Sequence, residues 1–344
     1  DLTWEKAIKW NVGADVKFWG DRIGLTFDYF MEHRDNILCN RNTVPTIIGI
    51  SASNLPAYNM GRMRNSGWDG EISLGDRICD WSYFVKANFT YAHNKILEQD
   101  EVIRNEDYLY RTGLRYGQFF GYVADGIFNS WEEVNAAGRP EYVMANNNNK
   151  IQPGDVRYVD INGDGKINDD DQVPIGYSNF PEIMYGISLG GSYKNLDISL
   201  LFQGATHVSN MPSRRIMRGF YEYTGANRDL LKSWSYERFV NNQKIVYPRY
   251  GVNGVGHNYL TSTYWLEDAS YLRLKNVEVG YTFRQESLKK AGIGSIRIYV
   301  NGSNLLTWTD MLPGQDPEVA NAGVTNSEPY PVTRVFNFGL NVNF

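Results

Sequence analysis

Between Ile8 and Phe18 the residues Ile8, Trp10, Val12, Ala14, Val16 and Phe18 are apolar, while Lys9, Asn11, Gly13, Asp15 and Lys17 are polar or small. A period of two predicts a β-strand with one apolar face. After Gly20-Asp21-Arg22 the pattern restarts with Ile23, Leu25, Phe27, Tyr29 and Met31, so the two runs predict a hairpin. Trp68, Ile72 and Leu74, followed past Asp76–Asp80 by Trp81, Tyr83, Val85, Ala87, Phe89 and Tyr91, predict a second hairpin. Ile183, Tyr185, Ile187, Leu189 and Tyr193 lead through Lys194-Asn195 into Leu196, Ile198, Leu200 and Phe202, a third. In Ala269–Phe283 the apolar parity slips between Leu272, Leu274 and Val277, Val279, Tyr281, Phe283, which predicts a β-bulge near Lys275-Asn276. The remaining apolar alternations are Ile296, Ile298, Val300, Gly302 and the terminal Phe336, Phe338, Leu340, Val342, Phe344.

Period two says only that one face is apolar; lipid or a second sheet could cover it. Strand length and connection length favour lipid. The runs reach the roughly 9–11 residues that cross a bilayer at a tilt, and aromatics such as Trp10, Phe18, Trp19, Tyr91, Tyr193, Tyr281 and Phe283 gather near their ends, as in interfacial girdles. Short turns at Gly20–Arg22, Asp76–Asp80, Lys194-Asn195 and Arg284–Gly294 alternate with long polar connections at His33–Met63, Glu98–Pro181, Ala205–Ser270 and Thr309–Thr333. Short on one side and long on the other is the outer-membrane pattern, with the long loops outside. The expected fold is all-β, an antiparallel transmembrane β-barrel, of which this chain supplies about nine C-terminal strands. Nine is odd, and an unpaired edge in lipid is not viable, so the other strands are expected from elsewhere.

No run of apolar residues is long enough for a membrane helix. A net charge of −5 gives no basic footprint, and no nucleic-acid partner is expected. Cys39 and Cys79 fall at opposite ends of the predicted strands, too far apart for a disulfide, and two thiols are expected. His33, His93, His207 and His257 lack zinc-site spacing.

The segment Asp160–Asp171 has calcium-loop spacing. Asp160, Asn162 and Asp164 offer oxygens at positions 1, 3 and 5, Gly165 permits the turn, Lys166 can give its carbonyl, and Asp171 stands at position 12. An EF-hand prefers the longer Glu there, so Asp171 makes the motif like a dockerin-type loop. The expectation is a structural Ca2+, with a metal-free Asx-rich turn as the other reading; no nucleophile and base stand nearby. Loop aromatics Trp131, Tyr142, Trp234, Tyr236, Tyr259, Tyr264 and Trp265 could stack on sugars, dock a partner, or simply pack the loops. Arg228–Phe239 reads as a short amphipathic helix, and Asn146–Asn149 as a polar loop tip.

Several segments together resemble the C-terminal part of SusC/RagA-type TonB-dependent outer-membrane transporters. They are Leu2-Thr3-Trp4-Glu5-Lys6, Asn65-Ser66-Gly67-Trp68-Asp69-Gly70-Glu71-Ile72, and Phe120-Gly121-Tyr122-Val123-Ala124-Asp125-Gly126-Ile127-Phe128. Pro153-Gly154-Asp155 running into the Asp160–Gly165 loop, Ala269-Ser270-Tyr271-Leu272-Arg273-Leu274-Lys275-Asn276, Gly302-Ser303-Asn304-Leu305-Leu306 and the terminal Phe344 complete the set. The resemblance covers essentially the whole chain. It implies a plugged 22-stranded barrel in the outer membrane, with residues 1–344 as its C-terminal portion, 98–181 and 205–270 as extracellular loops, and the plug and N-terminal extension absent. It also implies import of oligosaccharides or peptides beneath a SusD-like lipoprotein, energised through TonB by way of the missing N-terminal part. No enzymatic activity is expected. A secreted, calcium-stabilised β-sandwich that binds carbohydrate is the alternative that the same aromatics and loop allow. A hydrolase using paired carboxylates has only the abundance of Asp and Glu behind it.

Overall fold

The computed structural model describes residues 2–45, 47, 49–50, 54–144, 151–221, 224–251, 256–285, 288, 290, 292–319, 330 and 332–344. The described residues form one nine-stranded antiparallel sheet in which every strand pairs with its neighbours in sequence order. Its strands are β1 (Lys6–Phe18), β2 (Ile23–Cys39), β3 (Tyr58–Ile78), β4 (Trp81–Glu98), β5 (Ile183–Tyr193), β6 (Leu196–Thr206), β7 (Tyr271–Phe283), β8 (Ser295–Thr309) and β9 (Val335–Asn343). β1 and β9 each pair on one side only. The tightest turns, Cys79-Asp80 and Lys194-Asn195, place Cys79 and Lys194 at φ of 55° and 54°.

The register confirms that the apolar alternation is one continuous face. Val12, Tyr29, Trp68, Tyr91 and Ile183 stand in one cross-strand row, and Trp81, Tyr193, Leu196 and Tyr281 in another near the short turns. Among the described residues no second sheet covers this face: Trp10 is 63% exposed and Phe338 82%. The β-sandwich alternative fails on that observation, because a sandwich must bury the apolar faces of its sheets against each other. The two rows lie ten residues apart on β4, about 33 Å along the strand and about 25 Å along a membrane normal at a tilt of about 40°, the height of an outer-membrane apolar band.

The opposite face is polar and internally bonded. Thr26 donates to Asp15 at 2.6 Å, Lys86 pairs with Glu71 at 2.9 Å, and Ser82 and Ser192 share a hydrogen bond at 2.7 Å. Arg297 on β8 crosses over Gly280 on β7 to reach Asp197 on β6, with Nη2 at 2.5 Å from Oδ2, and also bonds Glu278 at 2.7 Å. A Cβ at position 280 would stand 2.4 Å from that guanidinium, so glycine opens the path. Gly339 on β9 serves Tyr299 in the same way, with a Cβ there meeting the ring at 2.1 Å.

Three sequence expectations need correction. His33–Met63 is not a long polar connection, because β2 continues to Cys39 and β3 already begins at Tyr58. Above the lipid these strands need no apolar face: there Arg62 pairs with Asp35 and Glu98, while on the opposite face Lys9 pairs with Glu32, and Arg34 with Glu32 and Glu5. The turn expected at Asp76–Asp80 shrinks to two residues, since β3 pairs with β4 as far as Ile78–Trp81. Arg228–Phe239 is two short pieces: Arg228–Lys232 is a 3-10 turn and Tyr236–Val240 an α-helix capped by Ser235. They separate because the intervening Trp234 donates its backbone N–H to Tyr247 instead.

The expected bulge is present. Leu274 pairs with Phe202 and Leu306 while Asn276 pairs with Leu201 and Ser303, leaving Lys275 unpaired opposite Asn304-Leu305. Cys39 and Cys79 are both free. Asn146–Asn149 lies outside the described residues.

Candidate functional site

The long connections at the open end of the strands are not merely polar. Residues 99–182 and 207–270 interlock around their own buried clusters, one of Tyr122, Met144, Val156, Tyr158 and Ile167, another of Met217, Tyr247, Tyr259 and Trp265. Among the described residues, most of the buried apolar side chains lie here, since the sheet keeps one face for lipid and the other polar. Of the aromatics singled out in the sequence, Tyr259 and Trp265 are buried in these clusters, Tyr142 and Tyr264 pack against them, and Trp234 lies against Gly154. Only Trp131 and Tyr236 are largely exposed, at 58% and 70%.

The two connections are tied by Asp155, which is fully buried. Its carboxylate accepts Arg249 Nε at 2.5 Å, Asn258 Nδ2 at 2.9 Å and the Gln152 N–H at 2.8 Å, and stands 3.1 Å from His257 Nε2. Burial alone raises its pKa, but the His257, Arg249 and Asn258 contacts outweigh it and hold the carboxyl below the usual carboxylate range. Pro153-Gly154-Asp155 was visible in the sequence as a motif; its partners, about a hundred residues away, were not.

The calcium-loop motif follows directly. Asp160 accepts the N–H groups of Gly163 at 2.7 Å and Gly165 at 2.8 Å, Asn162 that of Asp164 at 3.1 Å, and Asp164 that of Lys166 at 2.8 Å. Gly163 and Gly165 adopt φ of 74° and 81°, which bends the loop as the spacing requires. The carbonyls of Gly165 and Ile167 are taken by Glu141 and Val143, which turns the Lys166 carbonyl to the other side of the chain. Asp171 is fully buried, and its two oxygens accept the Ile161 and Asn168 N–H groups, each at 2.8 Å, closing the loop on itself. Asp169 and Asp170 tie the loop to Tyr122, Asn105 and Tyr108. Among the described residues no three His, Cys, Asp or Glu side chains converge as a metal-binding group. The oxygen groups that a hard cation would need at this spacing are those of Asp160, Asn162, Asp164 and the Lys166 carbonyl, with Asp171 as the brace.

Two further ionic centres join the loops to the sheet. Glu182, with a side chain 6% exposed, receives Arg115 and His93, each at 2.6 Å, and faces His207 at 3.4 Å. Tyr177 stacks on His207 at 4.6 Å and lies under the Arg115 guanidinium. On the polar face, Arg273, 3% exposed, bonds Asp316 at 2.6 Å, Glu318 at 2.5 Å and Thr307 at 2.9 Å, while the bulged Lys275 reaches Glu318 at 2.8 Å. These pairs hold the segment 310–319 over the inner face, where it bounds a cavity of about 860 Å³ lined by Asn88, Thr90, Met184, Gln203, Tyr271 and Glu318 among others. The lining is amide, hydroxyl and apolar, and its one carboxylate is neutralised by Arg273 and Lys275.

Comparison with known proteins agrees with this architecture. The "TonB-dependent receptor P3" of Formosa agariphila is 28% identical over the whole chain, which covers 34% of that protein. The "TonB-dependent receptor SusC" of Bacteroides thetaiotaomicron is 25% identical, again over the whole chain and 32% of the relative. The chain therefore spans about a third of the length of these relatives. Among solved structures, that of the RagAB peptide transporter superposes over the whole chain with a TM-score of 0.73 at 23% identity, covering 36% of that chain, and so shares the fold. Residues 1–172 match the family described as TonB dependent receptor-like, beta-barrel. With its strands accounted for as outer-membrane wall and its connections as a packed layer above them, the chain belongs to the TonB-dependent receptor β-barrel family.

Proposed function

We propose that this chain forms the C-terminal wall and loop layer of an active importer of oligosaccharides or peptides, energised through TonB and closed from outside by a SusD-like lipoprotein. The carrying observation is the continuous match of the whole chain to TonB-dependent receptors, SusC among them. The strands missing from a 22-stranded barrel, the plug and the TonB contact belong to the remaining two-thirds of the relatives' length. No enzymatic role is assigned. The peptide reading draws on the likeness to the RagAB peptide transporter and importer; the oligosaccharide reading rests on the SusC-type resemblance. The test is a deletion of the receptor in its native host, followed by uptake of defined oligosaccharide and peptide mixtures. Loss of uptake of one class identifies the cargo, and unchanged uptake of both refutes import.

Within the loop layer we propose a structural Ca2+ held by Asp160, Asn162, Asp164, the Lys166 carbonyl and, as the closing residue, Asp171. The calcium would stiffen the loop that connects Tyr158 to the strand pairing Glu141 with Lys166. Its role is to fix the layer on which a lid would dock, without chemistry of its own.

A further inference from the structure

On the lipid-facing side of the sheet, four residues above the aromatic row Tyr29, Trp68 and Tyr91, stand His33, Arg64 and Lys95. They are direct cross-strand partners, His33 with Arg64 and Arg64 with Lys95. Cross-strand neighbours lie about 5 Å apart, and like charges placed so are destabilising unless an anion joins them. Among the described residues, no carboxylate lies within ion-pair distance of any of the three, although ion pairs occupy the rows around them. One row up, Arg62 is taken by Asp35 at 3.0 Å and Glu98 at 3.4 Å; one row down, His93 belongs to Glu182, together with Arg115. The nearby loop carboxylates are also engaged: Asp100 by Asn42 and Thr43, Glu101 by Arg111 and Thr112. The adjoining connection 40–57 contains Arg41 and no Asp or Glu.

Height decides what anion fits. Four residues of tilted strand put this row about 10 Å above the aromatic row, level with the headgroups outside the hydrocarbon. Arg and Lys stems can lie along the apolar surface below while their charges reach back to that level. We propose that Arg64 and Lys95, with His33 beside them, form a binding site for the phosphate groups of an outer-leaflet glycolipid. Guanidinium and ammonium suit phosphate oxygens, and Trp68 and Tyr91 beneath would pack the upper acyl chains. The site goes beyond import: it needs only the outer-membrane position of the sheet.

The test uses the complete receptor extracted from membranes in mild detergent, delipidated, and titrated with lipid A, either phosphorylated or treated with phosphatase, under native mass spectrometry. Binding should require the phosphate. The Arg64→Gln/Lys95→Gln variant should bind about thirtyfold more weakly, at roughly fivefold per cation. Arg64→Lys/Lys95→Arg, which keeps the charge, should bind like the wild type, as should Lys244→Gln in the loop layer. Heat-modifiable migration on gels checks that each variant folds; if the double variant does not, the single variants replace it at about fivefold each. Equal binding by the charge-removed variants, equal binding of dephosphorylated lipid A, or displacement of the lipid by equimolar inorganic phosphate would overturn the assignment.

Discussion

Replacing Asp155 by Ala should loosen the loop layer while leaving the sheet intact. Asp155 is fully buried and receives Arg249 Nε and Asn258 on Oδ1 and the Gln152 N–H on Oδ2, with His257 against Oδ2 as well, so the substitution leaves a largely buried guanidinium and a buried amide unpaired at once. Breaking one side of a buried pair costs about 3–5 kcal/mol. Taking about 3 kcal/mol, local opening becomes about a hundredfold more frequent. Nothing in the sheet bonds to this carboxylate, so the cost falls on the contact of 151–159 with Arg249, His257 and Asn258. Hydrogen exchange followed by mass spectrometry on the detergent-extracted receptor reads this directly. Peptides covering Val156–Tyr158 and Trp265 should lose protection, and those covering β5 and β6 should not. Unchanged protection in the loop peptides would refute the claim that Asp155 joins the two connections; equal loss in β5 and β6 would refute the independence of layer and sheet. The pH dependence follows from the direction of the shift. Because the folded pKa lies below the unfolded one, the contribution is fully present above about pH 4 and is lost only as pH falls toward the depressed folded value. Wild-type loop protection should therefore hold from neutrality to about pH 5 and decline below about pH 4.

Other consequences can be measured alongside. Chelator, or Asp160→Ala with Asp164→Ala, should expose the Glu98–Pro181 connection to protease without unfolding the barrel; an unchanged cleavage pattern would count against the structural cation. Arg273→Ala removes a 3%-exposed guanidinium from Asp316 and Glu318 and should free the segment 310–319, at a cost of about 3 kcal/mol, seen as new cleavage there. Gly280→Ala should displace Arg297 from Asp197 and lower the unfolding temperature of the barrel by a few degrees, a cost of about 1 kcal/mol, since the clashing group is the end of a flexible side chain. Thiol titration of the denatured, unreduced protein should find both Cys39 and Cys79 free.

The sheet was legible because lipid imposes strict alternation. Every strand with its apolar residues in period two, from Ile8–Phe18 to Phe336–Phe344, has its counterpart in the structure, and the parity slip at Lys275 marked a real bulge. The upper halves of β2, β3 and β4 were not legible, because above the membrane His33 and Asp35, Arg62 and Arg64, and His93 and Lys95 stand at the positions that carry apolar residues lower down and leave no apolar period to read. The loop core was hidden for a related reason. Tyr122, Tyr158, Tyr247 and Trp265 come together from irregular spacings, and the Asp155–Asn258 bond joins residues 103 apart. The Asp160–Asp171 spacing was visible in the sequence. That Asp171 turns inward to brace Ile161 and Asn168 required coordinates.

The central claim is that this chain is one wall of a larger outer-membrane importer. Its most direct test is mass-spectrometric identification of everything that co-purifies with the chain after mild detergent extraction of outer membranes. The account predicts that its peptides belong to, or travel with, barrel and plug sequence amounting to a polypeptide about three times as long, as in the relatives, accompanied by a surface lipoprotein. Recovery of a folded 344-residue species alone, from the soluble fraction, would contradict it.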